Sequence, residues 1–141
     1  MEDSFAKKKL PYNINAEKSV IGSMLMDRDA IVDAADMLTK EDFYYGQYGI
    51  LFENMVELFK EGKAVDIVTL KNKLEENNVP DEVISVSVIA DIMDAVPTSV
   101  NAKHYAEIVA DKSLLRKAIK LCEGIEKDCY LDSEGVDVLL E

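Results

Sequence analysis

The residues whose types could carry chemistry are few, and their spacing serves none of the common reactions. His104 is the only histidine and sits between Lys103 and Tyr105 in a stretch of helical period. Without a second imidazole or thiolate at ligand spacing it makes no metal pair, and it reads as a solvated or capping residue. Cys122 and Cys129 are seven residues apart. On a helix that spacing puts them about 10 Å apart on one face, too far for a disulfide between them. They read as small core residues of a reducing compartment. The sequence has no GxxxxGK[ST] loop, no GxGxxG, no CxxC and no HExxH. No phosphate cradle, redox pair or zinc site is therefore written in it. The 28 acidic residues are scattered over helix surfaces rather than paired. The expectation is a non-catalytic chain, with no catalytic, cofactor-binding or metal-ligating residues of its own.

Composition narrows the partners. A length of 141 residues suits one domain of ordinary size, able to bury about two-thirds of its unfolded surface. The formal net charge of −12 argues against the chain gripping duplex DNA by itself, because phosphate binding needs clustered cations. Lys7, Lys8 and Lys9 are the exception and read as a solvated tail. No run of 18 apolar residues exists to span a membrane, and no apolar stretch follows the lysines to make a secretory signal. A cytoplasmic location is expected.

The elements that would have to position any site are helices throughout. Residues 1–10 show no period and read as a flexible tail. Asn15 is the candidate cap of a first helix with Val20, Ile21, Met24 and Leu25 on one face. Gly22 lies inside it, which suggests close packing. A short helix over residues 30–37 would bury Ile31, Ala34 and Ala35. Thr39 can cap a single turn whose Glu41 and Asp42 suit the positive end of the helix dipole, with Phe43 and Tyr44 anchoring it. A helix over residues 47–60 carries Leu51, Phe52, Met55, Val56 and Phe59, and Gly62 stops it. Asp66 caps the next, which turns Ile67, Leu70 and Leu74 inward and ends at Asn77, Asn78 and Pro80. VISVSVIA is β-branched enough for a strand, but no partner strand exists, and Ile89, Ile92, Met93 and Val96 fall at helical spacing. A helix from about Ser85 is expected. The core should hold Val20, Ile21, Met24, Leu25, Leu51, Phe52, Met55, Phe59, Ile67, Leu70, Leu74, Ile89 and Ile92.

From Pro97 to Tyr130 the chain has no internal breaker except Gly124. Thr98 or Ser99 can cap a helix there of roughly 30 residues, about 45 Å long. Its apolar residues form two neighbouring stripes. One holds Ile108, Leu115, Ile119 and Cys122; the other holds Leu114, Ala118, Leu121 and Ile125, extended by Cys129. Together they make a band about 160° wide at 100° per residue, which suits two neighbours rather than one. Leu114, Leu115, Ala118, Ile119, Cys122 and Ile125 are the candidate partner interface. Lys112, Arg116, Lys120 and Lys127 make a basic ridge beside the band, a candidate docking ridge. Two placements stand: a stalk projecting from a small head, or one long helix lying across its own core. After Tyr130, Asp132 or Ser133 can cap a further helix opening with Val136, Leu139 and Leu140. The chain stops before that helix is complete and reads as truncated.

Four blocks of sequence carry a resemblance. They are Pro11-Tyr-Asn-Ile-Asn-Ala-Glu-Lys-Ser-Val-Ile-Gly22, then Glu41-Asp-Phe-Tyr44 with Ile50-Leu-Phe52, then Val65-Asp-Ile-Val-Thr-Leu70, and finally Val96-Pro-Thr-Ser-Val-Asn-Ala-Lys-His-Tyr-Ala-Glu-Ile-Val109 with Lys112-Ser-Leu-Leu-Arg116. In order and spacing, over about residues 11–130, they resemble the N-terminal domain of bacterial replicative helicases of the DnaB family. Asn15 departs from a common glutamate, Tyr48 from a common histidine, and Ile84-Ser85 from a common glycine pair. The family's motor domain, with its phosphate-binding loop, is absent. The resemblance implies an all-α fold: a helical head over residues 11–97, then a long helix and the start of a second hairpin helix over residues 98–141. It implies self-association (a dimer within a hexamer) and docking of primase. ATP and Mg would belong only to the missing motor domain. The competing reading is a helical regulatory or adaptor domain that dimerises through the long helix, unrelated to replication. An enzyme with an unrecognised carboxylate site stands third.

Overall fold

Among the described residues six α-helices and two 3-10 turns follow one another, and no strand occurs. The structure is a computed structural model and describes residues 9–95 and 101–131. Helix α1, Ile14–Met26, begins where the Asn13 side chain accepts the Ala16 amide at 2.9 Å. The expected cap Asn15 is corrected: it lies inside the first turn and is exposed, whereas Asn13 has the extended backbone a cap requires. Asp27 ends α1 and caps α2, Arg28–Met37, through the Asp29 amide. Ala30 takes the buried place expected for Ala35, which faces solvent.

A 3-10 turn at Lys40–Asp42 leads into α3, Gly46–Lys60. Gly49 lets these two elements touch. A Cβ there would stand 2.5 Å from the Lys40 carbonyl oxygen, so only glycine fits. Gly62, at φ +74°, turns the chain out of α3. Asp66 and Thr69 cap each other at the start of α4, Ile67–Glu76, and Asn78 at φ 57° ends it. A second 3-10 turn, Asp81–Val83, precedes α5, Val86–Ala95. The β-branched run is helical because only that period puts Ile92 in the core.

Helix α1 is the centre of the packing, with α2, α3, α5 and α6 (Ala102–Leu131) against it. Val20, Ile21, Met24, Leu51, Phe52, Met55, Leu70, Leu74 and Ile92 are buried as expected. Leu25, Phe59 and Ile89 are only half-buried, and Ile67 is exposed. Leu58 takes the core position, while Phe59 lies under the Arg28 guanidinium, 4.6 Å from the ring centre. The head does not end at residue 97. Ala102, Ala106 and Val109 of α6 are buried with the core, because this helix packs on both α1 and α2. Residues 1–8 of the expected tail, the Thr98 or Ser99 cap and the expected second hairpin helix lie outside the described residues. No helix among the described residues is long and apolar enough to cross a membrane.

Candidate functional site

Asp42 is the point where the long helix is fastened to the head. Its carboxylate accepts the Thr39 amide at 2.8 Å, the Ser113 hydroxyl at 2.6 Å and the Lys117 ammonium at 3.2 Å. Its backbone carbonyl accepts Arg116 at 2.7 Å, and the same guanidinium donates to the Pro11 carbonyl at 2.9 Å. Glu17 of α1 holds the next stretch: its two carboxylate oxygens accept the Tyr44 amide at 3.0 Å and the Tyr45 amide at 3.2 Å. Tyr12 stacks on Tyr44 with ring centres 4.3 Å apart. A turn with free backbone donors, two α-helices and the entering chain are thus joined by charge-assisted hydrogen bonds. Three of the four sequence blocks meet here, contributing Pro11 and Glu17, Asp42 and Tyr44, and Ser113 and Arg116.

The electrostatics of the two carboxylates differ. Burial pushes the Glu17 carboxyl above its ordinary value, and the two tyrosine amides and the Arg116 charge offset only part of that. Burial acts in the same direction on Asp42. There, hydrogen bonds from Ser113, Thr39 and Lys117, with the Lys117 charge, outweigh it and hold the carboxyl below its ordinary value.

Past this anchor the helix leaves the head. Every described residue from Lys117 to Leu131 is exposed. The alternative of a helix lying across its own core does not hold for this half. Ala102, Ala106, Val109, Ser113 and Arg116 form the head-facing stripe. At 100° per residue the expected apolar band is centred about half a turn away, on the far side of the helix. Leu114 is 67% exposed and Leu121 is 65% exposed. Leu115, Ala118, Ile119, Cys122, Ile125 and Cys129 are also exposed, with Ile119 the most covered of the large ones. Ile108, by contrast, is packed partly against the core.

The basic ridge needs correction at its centre. Lys112, Arg116, Lys120 and Lys127 fall on the head-facing side of the helix, so the head covers the ridge where the two meet. Arg116 is only 7% exposed and its donors are used by Pro11 and Asp42. Lys112 is half-buried, while Lys120 and Lys127 continue the line beyond the head's edge in solvent. Sequence reading took Asp42 for a helix-dipole residue and passed over Glu17 and Ser113. The signal that could have found them is a carboxylate and a hydroxyl at helix positions whose period turns them inward.

Among the described residues no three side chains of histidine, cysteine, aspartate or glutamate gather as a metal site. The arrangement is an anchored helix with a bare apolar side. The profile of the family described as "DnaB-like helicase N terminal domain" matches residues 9–111. The chain belongs to this family. Among relatives of the DnaB-like domain, the replicative DNA helicase DnaB of Geobacillus stearothermophilus is 36% identical over 141 residues, all of this chain and 31% of the relative. The replicative DNA helicase DnaC of Bacillus subtilis is 34% identical over 140 residues, 99% of this chain and 31% of the relative. The chain therefore spans about a third of the length of these curated relatives. The crystal structure of the N-terminal domain of DnaB helicase from Mycobacterium tuberculosis superposes with a TM-score of 0.87 at 30% identity, covering 93% of this chain and 94% of that one. The N-terminal domain of DnaB helicase from Helicobacter pylori, described with its interactions with primase, gives a TM-score of 0.72 at 25% identity over 82% of this chain and 90% of that one. The all-helical fold expected of a DnaB-like N-terminal domain is the one observed.

Proposed function

We propose that this domain is the assembly and primase-docking part of a replicative DNA helicase, acting in the cytoplasm. The observation that carries the reading is the far side of α6. A helix fixed at Ser113 and Arg116 runs on for about four turns with its apolar residues uncovered. Uncovered apolar surface of that length favours pairing between chains. Leu114, Leu115, Ala118, Ile119, Cys122 and Ile125 are the pairing face in this proposal. One stripe meets the second helix of the hairpin and the other a neighbouring subunit. These 141 residues hold no phosphate-binding loop, and in this proposal ATP, Mg and strand separation fall to a separate motor domain. Primase docking draws its support from the primase interactions described for the Helicobacter pylori domain.

The test is sedimentation of wild type and Leu115→Asp, with thermal melts alongside. Leu115 is exposed in the single chain, so the charge does not enter the core. The expected result is a wild-type dimer, a monomeric variant, and a small change in the head's melting. A wild type that stays monomeric at high concentration, or a variant that no longer folds, overturns the pairing face. Pull-down of purified primase by the wild type tests docking separately, and its failure would remove that half of the proposal.

A further inference from the structure

A second uncovered apolar surface lies on the head, between α4 and α5. Helix α5 is rich in apolar residues yet buries only Ile92. It packs on α1, whereas α4 packs on α3, and the two helices flank grooves instead of closing on each other. One groove of about 330 Å³ is lined by Leu25, Asp66, Ile67, Val68 and Met93. A second of about 540 Å³ shares Ile67 and continues past Ile84 and Ile89 to Val86. Val68 is 77% exposed and Val86 is 80% exposed. Charged groups along the run are Asp66, Glu75 and Asp81 against Lys71, and none of them forms an ion pair among the described residues.

We propose that the α4–α5 groove is a docking site for an amphipathic helix with a basic flank, supplied by a partner protein. The walls are helices, and no strand edge is present among the described residues, so added-strand recognition has nothing to pair with. An apolar floor beside the Glu75 and Asp81 carboxylates, neither in an ion pair among the described residues, takes a helix whose apolar stripe is bordered by lysine or arginine. A second copy of this chain is a poor occupant, because its net charge is −12 and the rim is acidic. The site uses none of the pairing face on α6 and does not depend on it.

The experiment is titration of the isotopically labelled full chain with a synthetic amphipathic helix of leucine and lysine, followed by backbone amide shifts and by anisotropy. An acidic helix of the same apolar pattern is the control. The expected result is saturable binding of the basic helix, with shifts confined to α4, α5 and the end of α1. Val68→Asp weakens it about tenfold, since one buried valine's transfer is lost. Glu75→Lys with Asp81→Lys weakens it further and flattens its salt dependence. Leu115→Asp, which tests the pairing face, leaves it unchanged. Equal binding of the acidic helix, shifts on α6 instead, or dimer loss in Val68→Asp overturns the proposal. So do contacts in the free protein between this groove and residues 1–8 or 132–141.

Discussion

Ser113 donates its hydroxyl hydrogen to Asp42 at 2.6 Å, closing a loop of 71 residues between the turn before α3 and the middle of α6. The partner atoms are buried, so the bond has no competing water, and the carboxylate's remaining lone pairs are taken by Thr39 and Lys117.

Removing the carboxylate leaves several donors without an acceptor. Asp42→Ala is expected to lower stability by about 2–4 kcal/mol, and Ser113→Ala by about 1–2 kcal/mol, the smaller loss reflecting one bond against several. Urea unfolding curves of both variants check the order. Equal losses, or none, would show that the cluster does not fasten α6.

The two buried carboxylates give the domain opposite pH responses. The folded-state value of Asp42 is lowered, so its contribution is fully present above the ordinary aspartate value of 3.8 and is lost as pH falls through the folded value below it. The folded-state value of Glu17 is raised, so its contribution is fully present below the ordinary glutamate value of 4.5 and is lost as pH rises through the folded value above it. Stability measured from neutrality downward is therefore expected to show a gain from Glu17 before the acid-side loss from Asp42. Asp42→Asn removes that site's acid-side loss, which unfolding curves between pH 6 and pH 2.5 would reveal against wild type.

Gly49→Ala tests the approach of α3 to the 3-10 turn. The added methyl meets the Lys40 carbonyl oxygen at 2.5 Å, and backbone cannot swing aside as a side-chain tip can. The helix would otherwise gain from alanine, so a net loss of about 1–3 kcal/mol signals the clash. A variant with raised melting temperature would show that the two elements are not in contact.

Phe52 is 4% exposed, and its ring centre lies 5.2 Å from that of Phe43. Phe52→Ala is expected to cost about 3–5 kcal/mol, combining lost transfer energy with the cavity left behind. An unchanged melting temperature would place Phe52 at the surface and shift the phase of α3 by a residue.

The net charge predicts the last outcome. Fluorescence anisotropy at physiological salt is expected to show no binding of duplex DNA by this domain, since Arg116 is withdrawn from the basic ridge into the head. Salt-sensitive binding in the micromolar range, lost in Lys120→Glu with Lys127→Glu, would reverse that expectation.

Helix identities were legible because each carries its own punctuation: Asp66 as cap, Gly62 and Asn78 as stops, and 3.6-residue spacing through α3. The core of α1 and α3 followed from the same spacing. What escaped was anything set by long-range partners. Asn13 and Asn15 are both capping types, and only backbone geometry separates them. The face of α6 that meets the head is built of alanines, a valine, a serine and an arginine, too small and too polar to read as a core stripe beside the leucines opposite. Arg116 looked like part of an exposed ridge because nothing local announces that Pro11 and Asp42 will be waiting for it. The apolar band was visible as a band, but its placement opposite the head depended on that hidden stripe.

Lys117, through its ammonium on Asp42, is also the last described residue of α6 held by the head. The 14 described residues beyond it reach about 21 Å with no second support among the described residues. That makes the cluster at Asp42 a fulcrum and the free segment its arm. A tilt of 10° at the fulcrum carries the tip sideways by about 4 Å, most of a helical turn's rise. A rearrangement small enough to keep every hydrogen bond at Asp42 would still shift which residues at the far end can meet a neighbour.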